Sequence, residues 1–340
     1  MKRAQTVPSE APSSDEFARR LLAWFDVHGR KDLPWQHPRT PYRVWLSEVM
    51  LQQTTVVAVT PRFERFVARW PTIEAMASAA DEDILQEWAG LGYYARARNL
   101  IACAREVARL GGFPTAAGEL RKLPGIGAYT AAAIAAIAFG EDAVAIDTNV
   151  ERVVARLAAL ERPRRAEVEA LVRTMIPRGR AGDFTQAIMD LGATICRPKA
   201  PRCDACPLRQ DCRASASGRP ESFPAPPERR ARPLRHGVAW WIERDGHVWL
   251  IRRPAKGILG GMAALPGTEW TDIPLHGASS LRKVRHVFTH FSLDLAVVTK
   301  AEPTDDGWWQ PLDRLAGAGL PTLYRKAAEL ALGYHDRLAA

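Results

Sequence analysis

An all-α domain followed by a smaller α+β one is the fold class this 340-residue sequence predicts, and three observations carry it. Apolar residues recur at three- and four-residue spacing in run after run as far as Cys212. Residues 214–235, ASASGRPESFPAPPERRARPLR, are rich in Pro, Ser and Arg and interrupt that pattern as a linker would. Beyond them, two β-rich runs in GVAWWIERDGHVWLIR (237–252) flank Asp245-Gly246, a strong hairpin signal.

Taken in order, residues 1–14 combine Pro, Ser and acidic side chains without an apolar core, so they read as a disordered lead-in and not as a secretory signal. The helical domain is expected over 15–213, with helical spacing in 17–28, 43–60, 83–89, 96–110 and 168–176. Gly111-Gly112 followed by Pro114 stops one helix. Tyr129–Phe139 is almost wholly alanine and isoleucine, an interior helix that Gly140 closes. In the second domain, 236–340, a further strand is expected at 286–299 and a last helix at 321–333. No internal repeat and no stretch of membrane-spanning length occurs.

Hydrophobic residues make up 47% of the chain and charged residues 25%, as in a soluble globular protein. A net charge of +9 and a pI near 9.6 point to a polyanionic partner, nucleic acid first. Four of the five cysteines form Cys196-x6-Cys203-x2-Cys206-x5-Cys212. Without an export signal the chain is expected in a reducing cytoplasm, which favours a metal site over disulfides. Four thiolates suit zinc or a [4Fe–4S] cluster alike. Cys103, in the apolar run LIACAREVA, reads as core packing.

Residues 119–130, ELRKLPGIGAYT, read as helix, tight glycine turn and helix. Gly125 and Gly127 are expected to allow positive φ and let a phosphate reach backbone N–H groups, aided by the helix dipole. Such a turn grips a nucleic-acid backbone without reading sequence, whereas an ordinary αα-turn would only connect. Two carboxylates stand out. Glu48 lies among Trp45, Leu46, Val49, Met50 and Leu51, company that raises a carboxyl pKa unless the residue sits on a solvated helix face. Asp147 precedes a helix; Thr148 with Glu151 fits a capping box, which would leave Asp147 ionised at the helix's positive end, and Asp147 itself is the alternative cap. A proton-holding carboxyl paired with an ionised one suits cleavage of a glycosidic bond.

These segments, LPWQHPRTPYRVWLSEVMLQQTTV, GLGYYARARNL, LPGIGAYTAAAI, AIDTNVERV and FTQAIMDLGATIC, together resemble the endonuclease III superfamily of DNA glycosylases, most closely its MutY-type adenine glycosylases. The resemblance implies a helix–hairpin–helix glycosylase domain with a six-helix barrel over about 35–142. It places an iron–sulfur module in 15–34 and 143–213, and it turns the metal choice into one [4Fe–4S] cluster. Lyase-active relatives carry a lysine where Tyr129 stands, and a phenol cannot form an imine with the sugar. The implied enzyme therefore excises adenine from A:8-oxoguanine or A:G pairs in double-stranded DNA, leaves an abasic site, and does not efficiently nick the strand. It is expected to be a monomer of the cytoplasm and nucleoid, away from membranes.

By position, Glu48 is implied as the general acid on adenine N7. Asp147 is implied as the carboxylate that stabilises the sugar cation, with Asn149 and Tyr129 beside it. The target nucleotide is flipped out of the helix. Gln53, Thr54, Leu91 and Tyr93 match positions that fill the gap or probe the opposite base, and Trp35 and Asp190 match the adenine pocket. The implied C-terminal domain is MutT-like (Nudix) and reads 8-oxoguanine with Phe288, Thr289 and His290; Thr289 stands where serine is usual and keeps a hydroxyl. No Nudix catalytic box is present, and Leu259 in GILGGMAALPG replaces the usual tryptophan. A bifunctional lyase acting on oxidised pyrimidines and a non-catalytic DNA-binding protein are the alternatives; Tyr129 and the extra domain weigh against the first, the retained carboxylates against the second.

Overall fold

The computed structural model describes residues 14–226, 232–254, 257–274, 282–303 and 305–338. The described residues gather into two compact units. Those of Met1–Ala79 and Asn99–Pro227 form one, and those of Ala80–Arg98 and Glu228–Ala340 form the other. No described helix is long and apolar enough to cross a membrane. The expected lead-in lies outside the described residues except for Ser14, which opens the first helix, Ser14–His28.

The first unit is helical, as its periodicity predicts. Its lower half buries Phe17, Leu21 and Phe25 of Ser14–His28 against Val150, Val153 and Val154 of helix Thr148–Ala158 and Phe184, Ile188 and Leu191 of helix Ala181–Thr194. Cys196, Cys206 and Cys212 pack against the same cluster, so the cysteine loops rest on a preformed core. Helix Pro41–Leu51 begins with Thr40 capping Arg43 N and Pro41 in the first turn, where its missing N–H leaves nothing unpaired. The alanine-rich helix Ala128–Phe139 is buried from Thr130 to Ala136 and ends on Gly140 at φ 74°, the left-handed stop expected there.

Three expectations need correction. The run 43–60 is not one helix: it breaks between Leu51 and Val56, and a second helix, Val56–Arg69, starts with Thr55 capping Ala58 N. Periodicity ran through the break because no Gly or Pro marks it. The linker does not begin at 214: a short helix at Arg213–Ala216, buried Phe223, and the bond from Ala225 N to Glu161 O hold this stretch on the helical unit. Residues 80–98, expected inside the helical domain, fold with the C-terminal residues instead.

In the second unit, β1 (Leu234–Trp241) pairs in parallel with β6 (Ser292–Thr299), which pairs antiparallel with β5 (Lys283–Val287). The other sheet joins β2 (Glu243–Arg244), β3 (His247–Arg252), β4 (Ala263–Ala264) and β7 (Trp308–Pro311). Asp245 at φ 49° and Gly246 at φ 71° form the predicted hairpin turn. The strand expected at 286–299 is two strands with a turn between them, closed by Phe288 N donating to Phe291 O at 2.8 Å. Helix Thr322–Leu338 covers the core through Leu323, Tyr324, Ala327 and Ala328.

Candidate active site

Glu48 sits on a helix with almost no solvated side: Tyr42 and every residue from Val44 to Met50 are buried. Glu48 is buried and lines a cleft with Trp35, Gln36, Ser47, Gln186 and Asp190. Burial, opposed by hydrogen bonding from Tyr129 and aided by the Asp147 charge, pushes its pKa up to about 7. The same burial, with both carboxylates, lifts the Tyr129 phenol well above its ordinary value. The Tyr129 hydroxyl thus feels both acids, and its one proton has Glu48 and, at 3.8 Å, Met189 Sδ as acceptors. Asp147 is not among the residues of the cleft wall, but its charge acts on Glu48.

Asp147 is itself the helix cap, not Thr148. Its Oδ1 accepts from Val150 N at 2.7 Å and its Oδ2 from Asn149 Nδ2 at 2.7 Å. Asn149 is pinned in turn: Arg152 Nη2 donates to its Oδ1 at 2.8 Å, and a Cβ on Gly192 would come within 2.6 Å of Asn149 Cβ. Arg152 also donates to Gly192 O and Cys196 O, both at 2.8 Å, so the Asp147 cap is braced from the first cysteine loop.

Asp190 is neither a cap nor a surface acid. It is buried and accepts from the Arg30 backbone N at 2.9 Å and the Arg30 side chain at 2.8 and 2.5 Å. Trp35 packs edge-on against Phe63 at 5.4 Å while still lining the cleft. Sequence reasoning missed Gln36 and Gln186. Both are buried on the cleft wall, and the Oε1 of each has no hydrogen-bond partner among the described residues. Buried acceptors of this kind await a donor. FTQAIMDLG carried one signal, a glutamine beside apolar Phe184, Ala187 and Ile188 on a buried helix.

Gly125 adopts φ 73°, and a Cβ there would meet Asn99 Cβ at 2.5 Å. Gly127 differs from expectation: at φ −83° it caps the Ala128–Phe139 helix in ordinary backbone geometry. No side chain caps that N-terminus, and a Cβ on Gly127 would face open space, so the first N–H groups are presented outward. Gln53, exposed, takes φ 57° in the break after Leu51, with half-buried Thr54 following it. Tyr93, 54% exposed, takes φ 48° beside buried Leu91. Left-handed backbone at non-glycine residues is strain held by its surroundings. Arg96 supplies one hold: it donates to Leu91 O at 3.0 Å and stacks on Trp88 and Tyr93.

Phe288, Thr289 and His290 form the turn between β5 and β6, with Thr289 and His290 exposed. Phe288 stacks on Phe291 at 4.8 Å and Trp270 at 5.5 Å.

The four loop cysteines, half-buried, line one small cavity together with Arg156 and Ile195. They ring that space without converging: among the described residues no group of three His, Cys, Asp or Glu side chains is placed to hold a single metal ion. Arg156 is 2% exposed and donates to Phe223 O, Arg197 O, Pro198 O and, at 3.4 Å, Cys196 Sγ. Cys103 is fully buried, as its apolar run predicts.

Residues 46–178 match the model of the HhH-GPD superfamily of base excision DNA repair proteins, and residues 237–330 match the NUDIX domain. The adenine DNA glycosylase of Buchnera aphidicola is 30% identical over 92% of this chain and 98% of its own. That of Rattus norvegicus is 33% identical over 91% and 77%. Among solved structures, a thermostable thymine-DNA glycosylase aligns with TM-score 0.56 at 29% identity, over 60% of this chain and 97% of that one. A non-covalent endonuclease III–DNA complex aligns with TM-score 0.51 at 27% identity, over 59% and 94%. With relatives at least 30% identical matched over 77–98% of their length and a domain model in each half, the chain belongs to the adenine DNA glycosylase family, enzymes of the HhH-GPD fold with a C-terminal NUDIX domain.

Proposed function

We propose that the chain is a monofunctional DNA glycosylase that flips adenine out of A:8-oxoguanine and A:G pairs in double-stranded DNA and hydrolyses its N-glycosidic bond. The observation that carries this is a buried carboxyl, Glu48, on the wall of a cleft and with a pKa near neutrality, under the charge of the helix-capping Asp147 and hydrogen-bonded by Tyr129. Neutral adenine is a poor leaving group, so a proton delivered to N7 is the step that most needs help. Glu48 holds that proton; Asp147 supplies negative charge to the sugar as it becomes cationic. Asn149 and Tyr129 orient the pair. The open acceptors on Gln36 and Gln186 suit the exocyclic N6–H donors of an adenine resting near Trp35, with Asp190 fixing that wall through Arg30.

The Gly125–Gly127 turn is assigned to the phosphate backbone, Gln53 and Thr54 to the gap left by the flipped nucleotide, and Leu91 with Tyr93 to the opposite base. Phe288, Thr289 and His290 are assigned to 8-oxoguanine, which differs from guanine in offering an N7–H donor and an O8 acceptor. The Thr289 hydroxyl can meet either. The protein would act as a monomer in the cytoplasm at the nucleoid.

For the cysteines, one [4Fe–4S] cluster fits better than a zinc ion. A spaced ring of four sulfurs suits a polynuclear group, and the buried Arg156 guanidinium is matched by a negatively charged centre. Cys196, Cys203, Cys206 and Cys212 would hold it, and its contribution is structural: it ties loops that also brace Asp147 through Arg152. Cys206→Ser is expected to lose iron and lower Tm by at least about 10 °C, the shift that roughly 3–5 kcal/mol produces in a domain of this size. Unchanged iron content in the purified variant would count against that ligand set.

Gly125→Ala would force a side chain into φ 73° and against Asn99. It should cost about 1–3 kcal/mol of stability and weaken binding to matched and mismatched duplexes alike, by ~10-fold. Titration of both duplexes by fluorescence anisotropy checks this; a loss confined to the mismatch would assign the turn a different task.

The decisive assay uses a duplex with adenine opposite 8-oxoguanine. Strand cleavage that appears only after alkali supports the reading, and DNA left intact over long incubation sinks it. Abundant adduct on borohydride treatment would favour the lyase instead.

A further inference from the structure

The stretch Ala80–Arg98 carries Leu91 and Tyr93 yet folds with the C-terminal unit. A short polar link joins them: Arg98 Nη1 donates to Gly260 O at 2.5 Å. The acceptor is buried and lies in the segment GILGGM, whose departure from the family pattern the proposed function leaves unexplained. That segment is a tight turn. Gly257, Leu259 and Gly261 all have positive φ, Gly260 N donates to Gly257 O, and Gly261 N donates to Arg253 O and Pro254 O. Gly261 lies against the guanidinium, since a Cβ there would stand in ordinary contact at 3.5 Å from Arg98 Nη1.

Contacts continue on both sides of this link. From Arg98, the first helical turn leads back through Arg98 N to Tyr94 O and Arg96 N to Tyr93 O. From the glycine turn, the Arg253 Nε donates to Ile258 O, and its guanidinium lies 4.8 Å over the Trp270 ring. Trp270 in turn stacks on Phe288 at 5.5 Å, one residue before Thr289. The contacts from Tyr93 to Phe288 are therefore unbroken within one unit.

We propose that Arg98 is a positioning residue that ties the Tyr93 turn to the Phe288–His290 loop through the Gly257–Met262 turn, so that both act together in selecting the base opposite adenine. The inference rests on the proposed function, which assigns those two parts to the opposite base. Contiguity alone is not coupling, and a mutant cycle measures it.

Single-turnover excision from A:8-oxoguanine and A:G duplexes is compared for wild type, Arg98→Ala, Arg98→Lys, Thr289→Ala and the Ala/Ala double variant. Arg98→Ala should cut the preference for A:8-oxoguanine about tenfold while leaving the A:G rate within about twofold. Arg98→Lys, which can still donate to the Gly260 carbonyl, should restore most of it. The double variant should be no worse than Thr289→Ala alone. Preference retained in Arg98→Ala but lost in Thr289→Ala overturns the coupling and leaves the function standing. Equal loss on both duplexes, or no rescue by lysine, means a merely structural arginine and also overturns it. A wild-type protein without adenine excision would instead fail the functional reading itself.

Discussion

Glu48→Gln is expected to lower single-turnover adenine excision by at least about 10³-fold while leaving duplex affinity within about threefold. The amide keeps the shape and polarity of the carboxyl but has no proton to give, so the loss isolates proton donation from binding. The wild-type profile should carry the same group's signature. Glu48 is protonated below a pKa of about 7, so excision falls as pH rises through that value. The variant's residual rate should be flat there. Stability should fall over the same rise in pH. The folded protein holds a proton on Glu48 that the unfolded chain, near 4.5, has released, so stability declines as pH rises from about 4.5 through about 7. A carboxyl displaced that far corresponds to roughly 3 kcal/mol, which Glu48→Gln should recover at pH 8 and not at pH 4.5. Urea melts at the two pH values measure the difference. Near-normal excision by the variant would remove Glu48 from the acid role.

The sequence disclosed fold class and chemistry wherever local pattern decides structure. Helical periodicity, the Asp245-Gly246 turn and the left-handed stop at Gly140 each follow from a few adjacent residues. The apolar neighbours of Glu48 foretold its burial because they are consecutive on one buried helix. What stayed hidden depends on partners far along the chain. Arg30 reaches Asp190 across 160 residues, and no local rule distinguishes that buried pair from a surface acid. Gln36 and Gln186 become acceptors without donors only once packing closes around them. The break at 52–55 and the turn at 288–291 contain no Gly, Pro or Asn, so turn chemistry was silent there. In the break, the strained Gln53 backbone is imposed by its surroundings. The attachment of residues 80–98 to the C-terminal unit is likewise a tertiary fact, which helical periodicity cannot reveal.

Asp147→Asn separates the capping task of this side chain from its proposed task as a counter-charge. As a helix cap, Asp147 accepts from Val150 N, and asparagine caps as well as aspartate does. The hydrogen bond from Asn149 is the part at risk, because a carboxamide nitrogen there would face another donor. The expected stability loss is therefore only about 1 kcal/mol. As an anion, Asp147 has no substitute: a neutral amide offers a developing sugar cation little, and excision should fall by about 10²–10³-fold. A second readout follows from the coupling to Glu48. The Asp147 charge helps hold the Glu48 pKa up, so removing it should move the alkaline decline of the residual activity to lower pH. Asp147→Ala would lose the cap as well, adding about another 1 kcal/mol of destabilisation at similar activity. If Asp147→Asn instead retained wild-type excision while Asp147→Ala lost it, the residue would be a cap alone. The cation would then need another counter-charge, and the pairing of the two carboxylates would have no part in the chemistry.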